Sequence, residues 1–151
     1  MPNHCHQTVI FKGPANVIGV LYSNVLEGKL CQAVRPMPFA LSYTSSPSDT
    51  PNWHDWTSKN WGTKWDICEA IILEKSWEKE SDLWFSKEEI SFTFVCWTAW
   101  SPPIPVWQEL VRKHQVKIDA SYIDEGGFFE GTFVDGVIEE WEPSKETIIN
   151  E

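Results

Sequence analysis

Apolar and polar positions alternate with a strand-like period of two along much of the chain, and with a helical period in two stretches. Thr8-Val9-Ile10-Phe11-Lys12 is a short β-rich run. Gly13-Pro14 follows and predicts a helix start, because proline suits the first helical position. Val17, Val20, Leu21 and Asn24 fall at helical spacing, so a short amphipathic helix is predicted over 14–25, with Glu27-Gly28 as its end. Residues 29–50 carry no regular pattern, and Arg35-Pro36-Met37-Pro38 and Ser45-Ser46-Pro47-Ser48 are loop chemistry. Thr50-Pro51 opens another helical turn, in which Trp53, Trp56 and Asn60 share a face and Gly62 is the stop.

From Trp65 to Glu74 the pattern is that of a strand, with Cys68, Ala70 and Ile72 on one face and Ile67, Glu69, Ile71 and Leu73 on the other. Residues 75–89 read as a long charged connection. Glu88 to Trp100 is the most strand-like run. Phe92, Phe94, Cys96, Thr98 and Trp100 face one way, and Thr93, Val95, Trp97 and Ala99 the other. Apolar character on both faces predicts a central strand. Ser101 is a suitable N-cap with Pro102 at the first helical position, and a helix is predicted to end near Gln115. Val116 to Ile123 alternates as a strand. Phe128–Val134 and Val137–Trp141 are joined by Asp135-Gly136, a strong two-residue hairpin signal.

This order predicts an α+β fold: a ferredoxin-like βαββαβ antiparallel sheet with two helices on one face and an added C-terminal β-hairpin. One domain is expected over 1–142, with 143–151 as a flexible tail. In this reading the strands ending at Lys12 and Trp100 are parallel neighbours, so both helices begin at one end of the sheet. Lys64 is then expected near two helix N-termini.

Asn60-Trp61-Gly62-Thr63-Lys64-Trp65-Asp66 and Thr98-Ala99-Trp100-Ser101-Pro102-Pro103 carry the densest chemistry. A small-anion site is one reading. Lys64 and the N–H groups around Ser101 bind charge, Asn60 and Thr63 add hydrogen bonds, and Trp61, Trp65 or Trp100 form a wall. The other reading is a structural corner in which tryptophans plug the core, Ser101 caps a helix and Lys64 is solvated. It is favoured because one lysine makes a weak anion site.

Charge changes the picture. The chain has a formal charge of −10. Residues 1–118 hold 12 acids and 11 bases, whereas 119–151 hold 10 acids and only Lys145. The acidic third nominates Glu125, Glu130, Asp135, Glu139, Glu140 and Trp141 as a surface for a basic partner, against the plainer reading of a solvated face. It also makes nucleic acid an unfavoured partner, since proteins meet phosphate backbones with lysine and arginine. Val95 and Trp97 on an outer sheet face are the only hint of RNA binding. Ten tryptophans, six of them between Trp53 and Trp100 near the two motifs, are expected mostly in the core, with one or two as exposed anchors.

No apolar run approaches the ~20 residues that span a bilayer, and no secretory leader is legible, so neither a membrane nor an export route is expected. Cys5, Cys31, Cys68 and Cys96 have no Cys-x-x-Cys spacing and read as free thiols in a reducing, cytosolic setting. His4 and His6 share one side of an extended segment, as metal ligands can, but no third ligand has recognisable spacing. No metal, cofactor or catalytic residues are therefore assigned. Glu88-Glu89 and Glu139-Glu140 are adjacent and point to opposite faces of a strand, which suits no shared acid–base role.

Taken together, Pro2-Asn3-x-Cys5, Gly13-Pro14, Pro36-Met37-Pro38, Asn60 to Asp66, Thr98 to Pro103, and Glu125-Gly126 before Phe128 and Gly131 resemble the YubB-like family of phage- and plasmid-borne proteins. His6 stands where that pattern has asparagine, and the segment from Met37 to Trp53 departs from it. The resemblance implies a ferredoxin-like domain and a mobile-element origin, and it carries over no site residues. The expected function is non-enzymatic binding of a host or phage protein, with host defence as one setting. The alternative is a small anionic ligand binder, or a cryptic enzyme, at the Lys64/Ser101 end of the sheet.

Overall fold

The structure, a computed structural model, describes residues 3–46 and 48–143 of the chain. Six strands form one antiparallel sheet: β1 (His4–Pro14), β2 (Cys68–Lys75), β3 (Glu89–Ala99), β4 (Lys117–Asp124), β5 (Glu130–Val134) and β6 (Val137–Trp141). Their spatial order is β2-β3-β1-β4-β5-β6. Helix α1 (Ala15–Leu26) follows β1, and α5 (Ile104–Lys113) joins β3 to β4. Three short helices lie between them in sequence: α2 (Leu30–Val34), α3 (Trp53–Asn60) and α4 (Asp82–Phe85). A 3₁₀ turn spans Phe39–Tyr43.

The period-two pattern sets the layers. Along β1, Cys5, Gln7, Val9 and Phe11 are buried while His6, Thr8, Ile10 and Lys12 are exposed. The buried side meets Phe92 and Phe94 of β3, and Phe11 contacts their rings edge-on at 5.7 and 5.2 Å. Ile18, Leu21 and Val25 of α1 and Val106, Trp107 and Leu110 of α5 join the same core. Both long helices thus cover one face of the sheet and leave the other open.

β1 and β3 are antiparallel, with His4 opposite Ala99 and Pro14 opposite Glu89. This corrects the expected parallel pairing. β2 runs antiparallel to β3, so β1 and β2 share a direction and β3 opposes both. Helices α1 and α5 therefore begin at opposite ends of the sheet. Only the N-terminus of α5 lies near Lys64.

Other boundaries move for physical reasons. β2 begins at Cys68 instead of Trp65, because the Asp66 carboxylate is turned toward α2. There it accepts the N–H groups of Cys31 and Gln32 at 2.8 and 2.9 Å. That long-range cap also explains a helix inside a stretch without pattern. Its own N-cap residue, Lys29, supplies no side-chain bond. The predicted connection over 75–89 contains α4, whose Leu83 is buried against Gly19 of α1. Asp135 and Gly136 have φ of +49° and +102°, as a tight hairpin turn between right-twisted strands requires. Residue 143 is described and 144–151 are not, so the tail expectation lies almost wholly outside the described residues.

Trp61, Trp77 and Trp107 are buried, whereas Trp84, Trp100 and Trp141 are about half exposed. Among the described residues, no helix is long and apolar enough to cross a membrane. Cys31, Cys68 and Cys96 are free thiols, and Cys5 is buried. Burial pushes Cys31 and Cys96 well up, and raises Cys68 less. Since the thiolate is the reactive form, alkylation of the native protein at neutral pH is expected at the partly exposed Cys68, with the other three reacting only after unfolding. Peptide mapping of a timed iodoacetamide reaction checks this, and equal labelling at Cys31 and Cys68 would contradict it.

Candidate functional site

The two tryptophan-rich motifs do meet. The Thr63 hydroxyl donates to the Ala99 carbonyl at 2.9 Å, and the Ser101 hydroxyl donates to the Gly62 carbonyl at 2.9 Å. Asn60 closes α3, donating to the Trp56 carbonyl and accepting from Arg35. The Trp61 indole N–H donates to the Arg35 carbonyl at 2.8 Å, with its ring buried. These four residues are spent on structure.

Helix α5 starts at Ile104, so Ser101 does not cap it. Ile104 N–H bonds the Pro102 carbonyl, Val106 and Trp107 both bond that of Pro103, and Pro105 has no N–H to offer. The helix N-terminus therefore holds no free donors for an anion. Lys64 instead lies over two indoles, its Nζ 5.1 Å from the Trp65 ring centre and 5.5 Å from that of Trp100. Such contacts stabilise by about 0.5–2 kcal/mol. Trp100 reaches this place by leaving the strand with φ +68°.

The acidic candidates do not form one surface. The Asp135 carboxylate accepts from Ile118 N–H at 2.7 Å and ties the hairpin turn to β4. Glu139 pairs with Thr132 on the open face of the sheet, while Glu140 turns to the helix side and accepts from the Tyr122 hydroxyl at 3.1 Å. Burial, then the neighbouring Glu140 charge, pushes the Tyr122 phenol well up. Glu130 accepts from the Trp141 indole at 2.6 Å. Glu125 lies at the far end of β4, beside His4 and His6.

The uncovered face of the sheet holds a groove of about 790 Å³. It runs across the strands from Glu69 and Ile71 on β2, past Val95 and Trp97, His6 and Thr8, and Ser121 and Ile123, to Glu130, Thr132 and Trp141. Trp97 and Trp141 mark its length, four strand spacings apart, or roughly 19 Å. Each indole is held by a carboxylate: Trp97 donates to Glu69 at 3.0 Å, as Trp141 does to Glu130. The His4 imidazole stacks on Trp97 at 3.6 Å between ring centres, 11° from parallel. Among the described residues, no lysine or arginine lines the groove. Its chemistry is two fixed aromatic plates, a mixed floor in which Val95 and Ile123 alternate with Thr8, Ser121 and Thr132, and carboxylates at both ends.

Sequence reading missed this groove. The signal was present in the outward apolar positions Ile71, Val95, Trp97 and Ile123: Val95 and Trp97 were read as part of a central strand and as a hint of RNA binding, and Ile71 and Ile123 only as alternating strand positions.

Residues 73–148 match a protein family described as a ferredoxin-like domain in Api92-like protein. That span carries β3, α5 and β4 to β6, and with them most of the groove. No curated protein and no solved structure matches the chain.

Proposed function

Since the chain belongs to the family described as a ferredoxin-like domain in Api92-like protein, we propose that it is a non-enzymatic binding protein whose open sheet face receives an extended, cationic segment of another protein. In this reading the path is βαββαβ, and the appended β5–β6 hairpin extends the binding face. The groove itself carries the proposal: it has the length of five or six extended residues, at about 3.3–3.6 Å each, and among the described residues it is lined by carboxylates without lysine or arginine. Aromatic plates held by hydrogen bonds lose little freedom on binding, which is how tryptophans become energetic anchors. The resemblance to YubB-like proteins supports a phage or plasmid origin, a host cytosolic setting and a host or phage protein as partner, host defence among the possible contexts. The alternative anion site at Lys64 draws less support, because the α5 N–H groups and the Ser101 hydroxyl are already engaged.

The test is affinity capture from host lysate with the wild-type chain, beside Trp141→Ala and Glu69→Lys variants shown by circular dichroism to be folded. A stoichiometric protein should be retained by the wild type, be lost from both variants, and elute as salt rises, because rim charges govern encounter and salt dependence. Retention unchanged in both variants rejects the groove. RNA in the eluate would reject a protein partner.

A further inference from the structure

The N-terminal His4-x-His6 pair gains a third donor through the sheet. β1 and β4 pair antiparallel, with Cys5 opposite Asp124. The next residue, Glu125, continues past the end of β4, and its N–H bonds the His4 carbonyl. Its side chain returns over the open face. Glu125 Oε1 accepts the His4 N–H at 2.7 Å. Oε2 is left 3.8 Å from His4 Nδ1 and 4.0 Å from His6 Nε2. One donor atom from each of the three residues lies within 4.8 Å of the others.

We propose that His4, His6 and Glu125 bind a divalent transition-metal cation of the zinc class. Two imidazoles and a carboxylate are a borderline-soft donor set suited to Zn²⁺, Co²⁺ or Ni²⁺, and ill suited to Mg²⁺ or Ca²⁺, which take all-oxygen ligands. Metal–ligand distances of about 2.0–2.2 Å put neighbouring donors about 3.4 Å apart in a tetrahedral site. The two separations from Glu125 Oε2 close to that by roughly half an ångström, and the imidazole donors lie within 4.8 Å of one another, a gap that side-chain rotation of His6 and Glu125, 49% and 40% exposed, can close.

The surroundings orient two of the three ligands. Trp97 stacks flat on His4 and is itself held by Glu69. Glu125 is fixed through Oε1, leaving the other oxygen for the ion. The turn behind it is set by the buried Asp124 carboxylate, which accepts Phe128 N–H at 3.2 Å, and by Gly127 at φ +78°. Outer contacts of this kind are what hold ligands in register. Three protein ligands leave at least one coordination position open, and His6 places the site on the groove wall. A histidine or carboxylate carried by a bound segment can complete the coordination. The binding of the ion itself does not depend on the groove having a partner.

The full chain, freed of any affinity tag, is titrated with ZnCl₂ by calorimetry and with CoCl₂ by visible absorption, with no partner present. One ion per chain is expected. His6→Ala and Glu125→Gln should each weaken binding by more than about a hundredfold, beyond the roughly 10–100-fold that loss of an outer contact costs. Glu125→Gln keeps the oxygen that accepts His4 N–H, so that variant reports on ligation apart from folding. Lack of saturable binding, unchanged affinity in either variant, or a thiolate band in the Co²⁺ spectrum overturns the proposal. The last result would put the ion on a cysteine. A partner lost on changing Trp141, with zinc affinity intact, would separate the groove from the ion site.

Discussion

Gly62→Ala is expected to destabilise the fold by roughly 2–4 kcal/mol, the sum of two effects. Gly62 has φ +77°, where a side chain bears a backbone penalty of about 1–2 kcal/mol. A Cβ placed there would also stand 2.7 Å from Pro105 Cδ, in a ring that cannot swing away. The Gly62 carbonyl accepts the Ser101 hydroxyl, so moving this turn also detaches the corner that seats α5. Gly136→Ala is the control: φ there is +102° and nothing lies within 4 Å of the added carbon. It bears the conformational term alone. Urea denaturation of both variants should give the Gly62 variant the larger loss. Equal losses would mean that the turn yields to the methyl group.

Asp66→Ala is expected to cost roughly 2–3 kcal/mol, because it strands N–H groups far apart in sequence. The carboxylate accepts from Cys31, Gln32 and Ile67. It is both the cap of α2 and the clamp between that helix and the start of β2. Burial raises its pKa, and the backbone hydrogen bonds offset this only in part. The sign of the pH dependence follows. Between the ordinary carboxylate pKa and the raised value, the folded state binds more protons than the unfolded one. This group's contribution to stability is full below the ordinary value and is lost as pH rises through the raised one. Asp66→Asn lacks the titration, so wild type should gain on that variant as pH falls across the window. Stability curves for the pair, measured from neutral to acid, check it. A difference independent of pH would show that Asp66 titrates as an ordinary carboxylate.

The sequence carried the strands well where alternation was clean. β3, β4 and the β5–β6 hairpin lie where period and turn chemistry put them, because local pattern and tertiary burial agree there. It failed where a partner from far away decides the outcome. Helix α2 has no local cap, and it exists because Asp66 reaches it from 34 or 35 residues on. Ser101 has the composition of an N-cap, yet its hydroxyl is taken by a carbonyl 39 residues back. Lys64 was expected near two helix N-termini through a parallel β1–β3 pairing, and the antiparallel register leaves it near that of α5 alone. The His4–His6 pair was visible by spacing. Glu125 was visible only as an acid, since its place beside them depends on the β1–β4 register.

The β5–β6 hairpin gives the open sheet face an uneven stiffness. Every residue of β6 is exposed, and the strand is paired on one side only. Its other ties are Tyr122 to Glu140 and Glu130 to Trp141. β1, by contrast, is paired along both sides and lies beneath α1. A segment with few buried contacts opens at a small fraction of the global unfolding free energy. In the proposed binding role the groove would work as a vice with one fixed jaw, carrying His4 and Trp97, and one sprung jaw, carrying Trp141. Such a device grips segments of differing bulk by yielding at a single wall. On that proposal, discrimination would be concentrated at the rigid end, where the histidines and Glu125 stand.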